Sequence, residues 1–244
     1  MQALVFELTS RGRFPDSHIS NFSPFYENDK SWVFENGFSP RIHSKYTDFH
    51  SKIGWRLFNT HLYRRFLPDQ GKFIYVIRSP KDACASFYHH LSHQAVEDGG
   101  YRGSLDDFVK QWCQGDIAFG GWGEHLKSYL ESEMRDNILV ITYEEMIQDL
   151  GKVARRVALY LEIVVDDEQV ASFLPRLKLE SMKKNIHLYT PKSVKWLETG
   201  DGFQFIRNGK VGDSENLFND SHQQDFLNYF TDLPSCCAPY FQLK

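Results

Sequence analysis

Positive charge is in short supply here: 28 Lys and Arg stand against 32 Asp and Glu, a formal charge of −4 over 244 residues. A protein that tracks a polyanion carries a basic excess, so no nucleic-acid partner is expected. Any nucleotide site must then be a local basic pocket on a mildly acidic body. Long apolar runs are missing as well, and none approaches the ~20 residues that cross a bilayer, so no membrane partner is expected either. Met1-Gln2 opens with neither a basic stretch nor a small-residue cleavage site, and no secretory leader is read. Cysteine is sparse. Cys84, Cys113, Cys236 and Cys237 lack metal-ligand spacing, and the adjacent pair meets disulfide geometry only with strain. Cys84 and Cys113 read as small buried hydrophobes, no metal is expected, and a reduced cytoplasmic compartment fits best. With no internal repeat and no low-complexity linker, residues 1–244 read as one domain.

What is present suits a globular core: 41% apolar residues, 15% aromatic and 25% charged, outside the range of disordered chains. Residues 3–9 predict a helix with Leu4, Val5 and Leu8 on one face, yet no Ser, Thr or Asp caps it. A buried helix needs its first amides satisfied, so this one reads as cut rather than begun. Residues 11–55 read as loops with short helical pieces. Strands are expected at 56–61, 72–77 and 138–142, the second an apolar run covered on both faces as in a parallel sheet. Ser79 and Pro80 open a helix that runs to about Gln94, and further helices are expected at 104–114, 120–134, about 151–162 and 215–231. The stretch at 183–213 reads as loop. Strands alternating with helices give an α/β fold with a parallel sheet.

Three segments carry chemistry. The strand at 72–77 delivers Arg78 at its C-terminal end, where ligands bind in open α/β sheets, and Ser86 lies one to two turns into the next helix. An arginine fork and a hydroxyl converging there can hold a phosphate monoester; the residues alone also allow an Arg bridging to an acidic neighbour, with Ser86 as helix filler. Phe205-Ile206-Arg207-Asn208-Gly209-Lys210-Val211-Gly212-Asp213 is a basic glycine loop, able to form an anion-binding nest or to be a solvated turn. Asn59-Thr60-His61-Leu62 places a histidine at a strand end, a general base near pH 7 or a satisfied structural residue.

Taken together and in order, these blocks resemble one family. Residues 73–88 resemble the 3′-phosphate-binding block of the cytosolic-type sulfotransferases, IYVxRNPKDxxxSxYxH, which use 3′-phosphoadenosine 5′-phosphosulfate (PAPS) as donor. Asn59-Thr60-His61-Leu62 is similar to that family's Lys-Thr-His-Leu, and Gly121 to Lys127 to its Trp-Phe-Asp-His-Val-Lys stretch. Ile141-Thr142-Tyr143-Glu144-Glu145-Met146 and Arg207-Asn208-Gly209 with Gly212-Asp213 complete the set. The resemblance implies a sulfotransferase fold, a P-loop-like parallel β-sheet flanked by helices. It implies sulfuryl transfer from PAPS, a co-substrate used without a metal, to a hydroxyl or amine of a small-molecule acceptor. By the same resemblance Arg78 and Ser86 bind the 3′-phosphate, Arg207, Asn208 and Gly209 close over it, Tyr143 lies by the adenine, and His61 is the catalytic base.

Departures from the pattern are as specific as the matches. The family's Pro-Lys-Ser-Gly-Thr-Thr-Trp loop cradles the 5′-phosphosulfate, and Met1-Gln2-Ala3-Leu4 aligns with the residues immediately after its tryptophan. The domain is therefore expected to be incomplete at its N-terminus, missing its first strand and donor loop, and residues 1–244 alone to turn over slowly or not at all. Asn59 and Asn208 stand where the family has lysines, and Ser214-Glu215 where it has Trp-Lys. No Lys-Thr-Val dimer motif is found, and the oligomeric state stays open. The competing readings are a degenerate domain that keeps only 3′-phosphoadenosine binding and, further off, a nucleotide kinase.

Overall fold

The computed structural model describes residues 1–14, 16–35, 39–197 and 203–241; residues 15, 36–38 and 198–202, within the stretches read as loops, and residues 242–244 lie outside the described residues. In chain order the elements are α1 (Gln2–Ser10), β1 (Trp32–Glu35), β2 (Ser39–Ile42), α2 (Ser44–Ile53), β3 (Phe73–Ile77), α3 (Pro80–Ser92), α4 (Leu105–Gln114), α5 (Trp122–Leu130), β4 (Ile138–Thr142), α6 (Tyr143–Gln148), α7 (Leu150–Leu161), α8 (Asp167–Phe173), α9 (Leu179–Lys184) and α10 (Asp220–Asp232). Two compact units emerge: Met1–His61 with Asp149–Pro191, and Leu62–Gln148 with Lys192–Lys244.

The first unit is built on helices. In α7, Val153, Ala154, Val157, Ala158 and Leu161 recur at three- and four-residue spacing and are buried. Leu4 and Leu8 of α1 are buried, and α1 packs on α7. A second cluster joins Phe6, Ile19, Phe22 and Ile53, with the Phe6 and Phe22 rings 4.4 Å apart. Two expectations fail in this unit. Residues 56–61 are irregular rather than a strand: Asn59 makes an isolated parallel bridge with Phe25, its carbonyl accepting from the Tyr26 N–H at 2.8 Å and its own N–H donating to the Pro24 carbonyl at 3.0 Å. A strand persists only while its ladder does, and Pro24 has no N–H with which to extend it. Conversely, the stretch at 11–55 holds an antiparallel pair, β1 with β2, in which Trp32 faces Ile42 and Phe34 faces Pro40. Proline in a strand argues against one, but both strands of a two-stranded ribbon are edges, where it is tolerated.

The second unit holds the parallel pair. Phe-Ile-Tyr-Val-Ile and Ile-Leu-Val-Ile-Thr are strand-forming runs, and β3 and β4 align from Phe73 beside Ile138 to Ile77 beside Thr142. Ile77 is buried, but Val76, pointing to the opposite face, is 38% exposed, so the sheet is open on that side among the described residues. On the closed side Ile77 joins Leu126 of α5 and Cys237. The main core lies between α3, α4 and α10, around the fully buried Phe108 and Phe226. Helix starts follow their caps: Ser104 accepts from the Asp107 N–H at 3.1 Å, and Asn219 forms a reciprocal box with His222. That box sets the last helix to begin at 220 rather than 215.

Candidate functional site

Parallel register decides what meets at the sheet's C-terminal edge. Ile77 lies beside Thr142, so the next residue on each strand, Arg78 and Tyr143, leaves the sheet side by side. The Arg78 guanidinium sits 4.5 Å from the centre of the Tyr143 ring, a cation–π geometry. Immediately after Arg78 the chain turns into α3, with Ser79 as its cap: the Ser79 hydroxyl oxygen accepts from the Asp82 N–H at 3.3 Å, and Pro80 occupies the first turn.

The glycine loop, far downstream, is joined to this corner. Arg78 Nη2 donates to the Lys210 carbonyl at 3.1 Å and lies 3.5 Å from Asp82 Oδ2. Asp82 is 1% exposed, and its carboxylate accepts from the Gly212 N–H at 2.8 Å and the Ser214 N–H at 3.0 Å. Burial pushes the Asp82 carboxyl up, but hydrogen bonding from Ser214 and Gly212 and the charge of Arg78 outweigh that and hold it below the ordinary carboxylate range. Gly209 at φ 59° and Gly212 at φ 76° take the left-handed backbone that lets the loop turn this tightly. Within the loop, Arg207 Nη2 donates to Asp213 Oδ2 at 2.7 Å and Asn208 Nδ2 to Asp213 Oδ1 at 2.8 Å. Burial raises the Tyr143 phenol, Arg78 opposes this, and Asp82 and Asp213 raise it further, so the loop carboxylate acts on the same ring.

Of the residues singled out in the sequence, Arg78, Tyr143 and the 207–213 loop thus meet in the second unit. Ser86, one helical turn beyond Asp82 on α3, is half-buried and makes no side-chain hydrogen bond to any described residue. Arg207 and Asn208 both turn to Asp213 rather than to Arg78 or Ser86. One atom in this corner stands out: Arg78 Nε is buried with no hydrogen-bond partner among the described residues. Two residues escaped the sequence reading. Asp82 carried a signal, standing four residues after Arg78, but its loop partners lie 130 and 132 residues away.

His61 belongs to the first unit. Its ring stacks on Phe25 at 5.3 Å, its Nδ1 lies 3.3 Å from Glu27 Oε1, and its backbone N–H donates to the same oxygen at 2.9 Å. Glu27 is the other residue the sequence did not reveal. Burial pushes its carboxyl up, yet the hydrogen bonds and charge of His61 outweigh that and hold it low. The Glu27 carboxylate beside Nδ1 and the stacked Phe25 ring orient the imidazole.

Comparison with known proteins adds to this geometry. Luciferin sulfotransferase of Photinus pyralis is 37% identical over 139 residues, 54% of this chain and 36% of that protein. The 3-beta-hydroxysteroid sulfotransferase of Cavia porcellus is 28% identical, covering 68% of this chain and 57% of that protein. Sulfotransferase 2A1 of Homo sapiens is 28% identical over 83% of this chain and 74% of its own length. The chain therefore spans less than two thirds of the first two relatives. Among solved structures, mouse sulfotransferase SULT7A1 complexed with PAP is similar at TM-score 0.61 and 28% identity, covering 78% of this chain and 69% of that one. Retinol dehydratase, in a complex with androsterone and inactive cofactor PAP, shares the fold at TM-score 0.73 and 20% identity, over 95% of this chain and 75% of the other. A family model described as the sulfotransferase domain matches residues 1–235, across both units, and the chain belongs to that family.

Proposed function

We propose that this protein is a sulfotransferase that uses PAPS and delivers the sulfuryl group to a hydroxyl, or an amine, of a small-molecule acceptor. PAPS supplies the sulfuryl group, and the residues of this chain hold and orient it. The observation that carries the reading is the Arg78 Nε at a strand end, buried with no partner among the described residues, beside a basic glycine loop bonded to the same arginine. A phosphate monoester suits that corner: its oxygens accept charge-assisted hydrogen bonds, and a buried guanidinium N–H lacks an acceptor. Arg78 and Ser86 are assigned to the 3′-phosphate, Arg207, Asn208 and Gly209 to the loop that closes over it, and Tyr143 to the adenine side. Arg207 reaches a phosphate by exchanging its Asp213 partner, whereas Ser86 has its hydroxyl available. His61, oriented by Glu27, is assigned the acceptor's proton. The resemblance to cytosolic-type members supports a cytoplasmic location.

The test is transfer of label from radiolabelled PAPS to a panel of phenols, aliphatic alcohols and amines. Labelled product supports the reading. Tight binding of 3′,5′-diphosphoadenosine (PAP) with no product from any acceptor class would leave a nucleotide-binding domain without the chemistry.

A further inference from the structure

Asp82 is the most deeply buried charged side chain among the described residues, and no hydrogen bond ties its carboxylate to its own helix. Both oxygens leave α3 and reach the glycine loop, Oδ2 to the Gly212 N–H and Oδ1 to the Ser214 N–H. The same Oδ2 faces Arg78, and Arg78 in turn holds the loop at Lys210. Strand end, first helical turn and loop are therefore tied by one ring of contacts, with Asp82 at its centre. We propose that Asp82 is a positioning residue that clamps the 207–214 loop onto the strand end, and so builds the 3′-phosphate site before nucleotide arrives; this rests on the reading of that site given above.

The physical case turns on where a buried carboxylate finds its hydrogen bonds. Taken out of water, it is costly unless its oxygens are satisfied. Here the satisfying donors are loop amides, so the carboxylate and the loop's place are coupled. Two glycines at positive φ give the loop wide freedom once released. The Arg207–Asp213 and Asn208–Asp213 bonds brace the loop internally but do not attach it to the sheet. Attachment comes from Asp82 and from Arg78. Asp82 Oδ2 lies 3.5 Å from Arg78 Nη2, while the buried Arg78 Nε keeps no acceptor among the described residues.

This role can be told apart from two others by the sign of an effect. A purely Coulombic carboxylate near a phosphate repels it, so Asp82→Asn would tighten PAP binding. A merely structural role would weaken PAP and AMP alike. As a clamp, Asp82→Asn should weaken PAP by roughly tenfold, the loss of a charge-assisted bond and of loop order, while AMP, lacking the 3′-phosphate, stays nearly unchanged. Calorimetry of the full chain and of Asp82→Asn with both nucleotides reads this directly. Tighter PAP, unchanged PAP, or equal losses on PAP and AMP overturn the clamp. A wild-type chain that does not prefer PAP over AMP defeats the site itself, a separable failure. A second measurement needs no variant: in the unliganded wild-type chain the Gly212 and Ser214 amides should be protected from hydrogen exchange although they lie in a loop. Free exchange at both would remove the clamp even if Asp82→Asn failed to fold.

Discussion

At the scale of single residues, Arg78 has more donors than the described residues satisfy. A buried donor without a partner carries a penalty of about 1–3 kcal/mol, which a phosphate oxygen would relieve. Arg78→Ala should therefore weaken PAP about tenfold or more while leaving AMP little changed, measured by calorimetry; equal affinity of the wild-type chain for the two nucleotides would remove the assignment. For His61 the expectation concerns rate rather than affinity. His61→Ala should lower the single-turnover rate of the active protein by about 10²–10⁴ with PAP affinity nearly intact, and a near-normal rate would take His61 out of the reaction. Sequence alone points to Arg78 and His61 as candidates because each stands at the end of an expected strand within a recognisable run. It cannot show Glu27, which meets His61 across 34 residues that include β1, β2 and α2, or the loop amides that meet Asp82. Those contacts are made by tertiary folding, and no local spacing encodes them.

At the scale of elements, legibility followed how much of each element's stability is local. β3 and β4 are uninterrupted apolar runs, and α3, α4 and α7 carry a capping side chain at Ser79, Ser104 and Asp149. All five stand where their local signals place them. The strand expected at 56–61 depended on a ladder partner, and among the described residues it finds only the Phe25 bridge; the β1–β2 ribbon was hidden by Pro40. Local signals also make local predictions. Ser79 caps the helix that carries both Asp82 and Ser86, so Ser79→Ala should lower stability by about 0.5–2 kcal/mol. The check is a urea titration in which the midpoint falls and the slope is unchanged; an unmoved midpoint would mean that Pro80 and Asp82 start the helix without the cap.

At the scale of the whole molecule, charge separates two kinds of anion recognition. A formal charge of −4 gives the chain no attractive field for a polyanion, and at about 0.15 M salt fields between exposed charges fade within ~8 Å. The corner proposed for the 3′-phosphate would work at shorter range: the Arg78 guanidinium is mostly covered, braced by Tyr143 and Asp82, and contacts of that kind are screened far less than surface charges. A small nucleotide can enter such a corner, whereas a duplex must be held along many phosphates at once. The chain should therefore bind PAP while passing through heparin and double-stranded DNA columns without retention at about 0.15 M salt. PAP affinity should also fall only modestly between low and physiological salt, because few cations engage a single 3′-phosphate. Retention on DNA at that salt, or a loss of PAP binding as steep as that of proteins contacting 6–10 phosphates, would show that a broad surface field rather than a built corner recognises the anion.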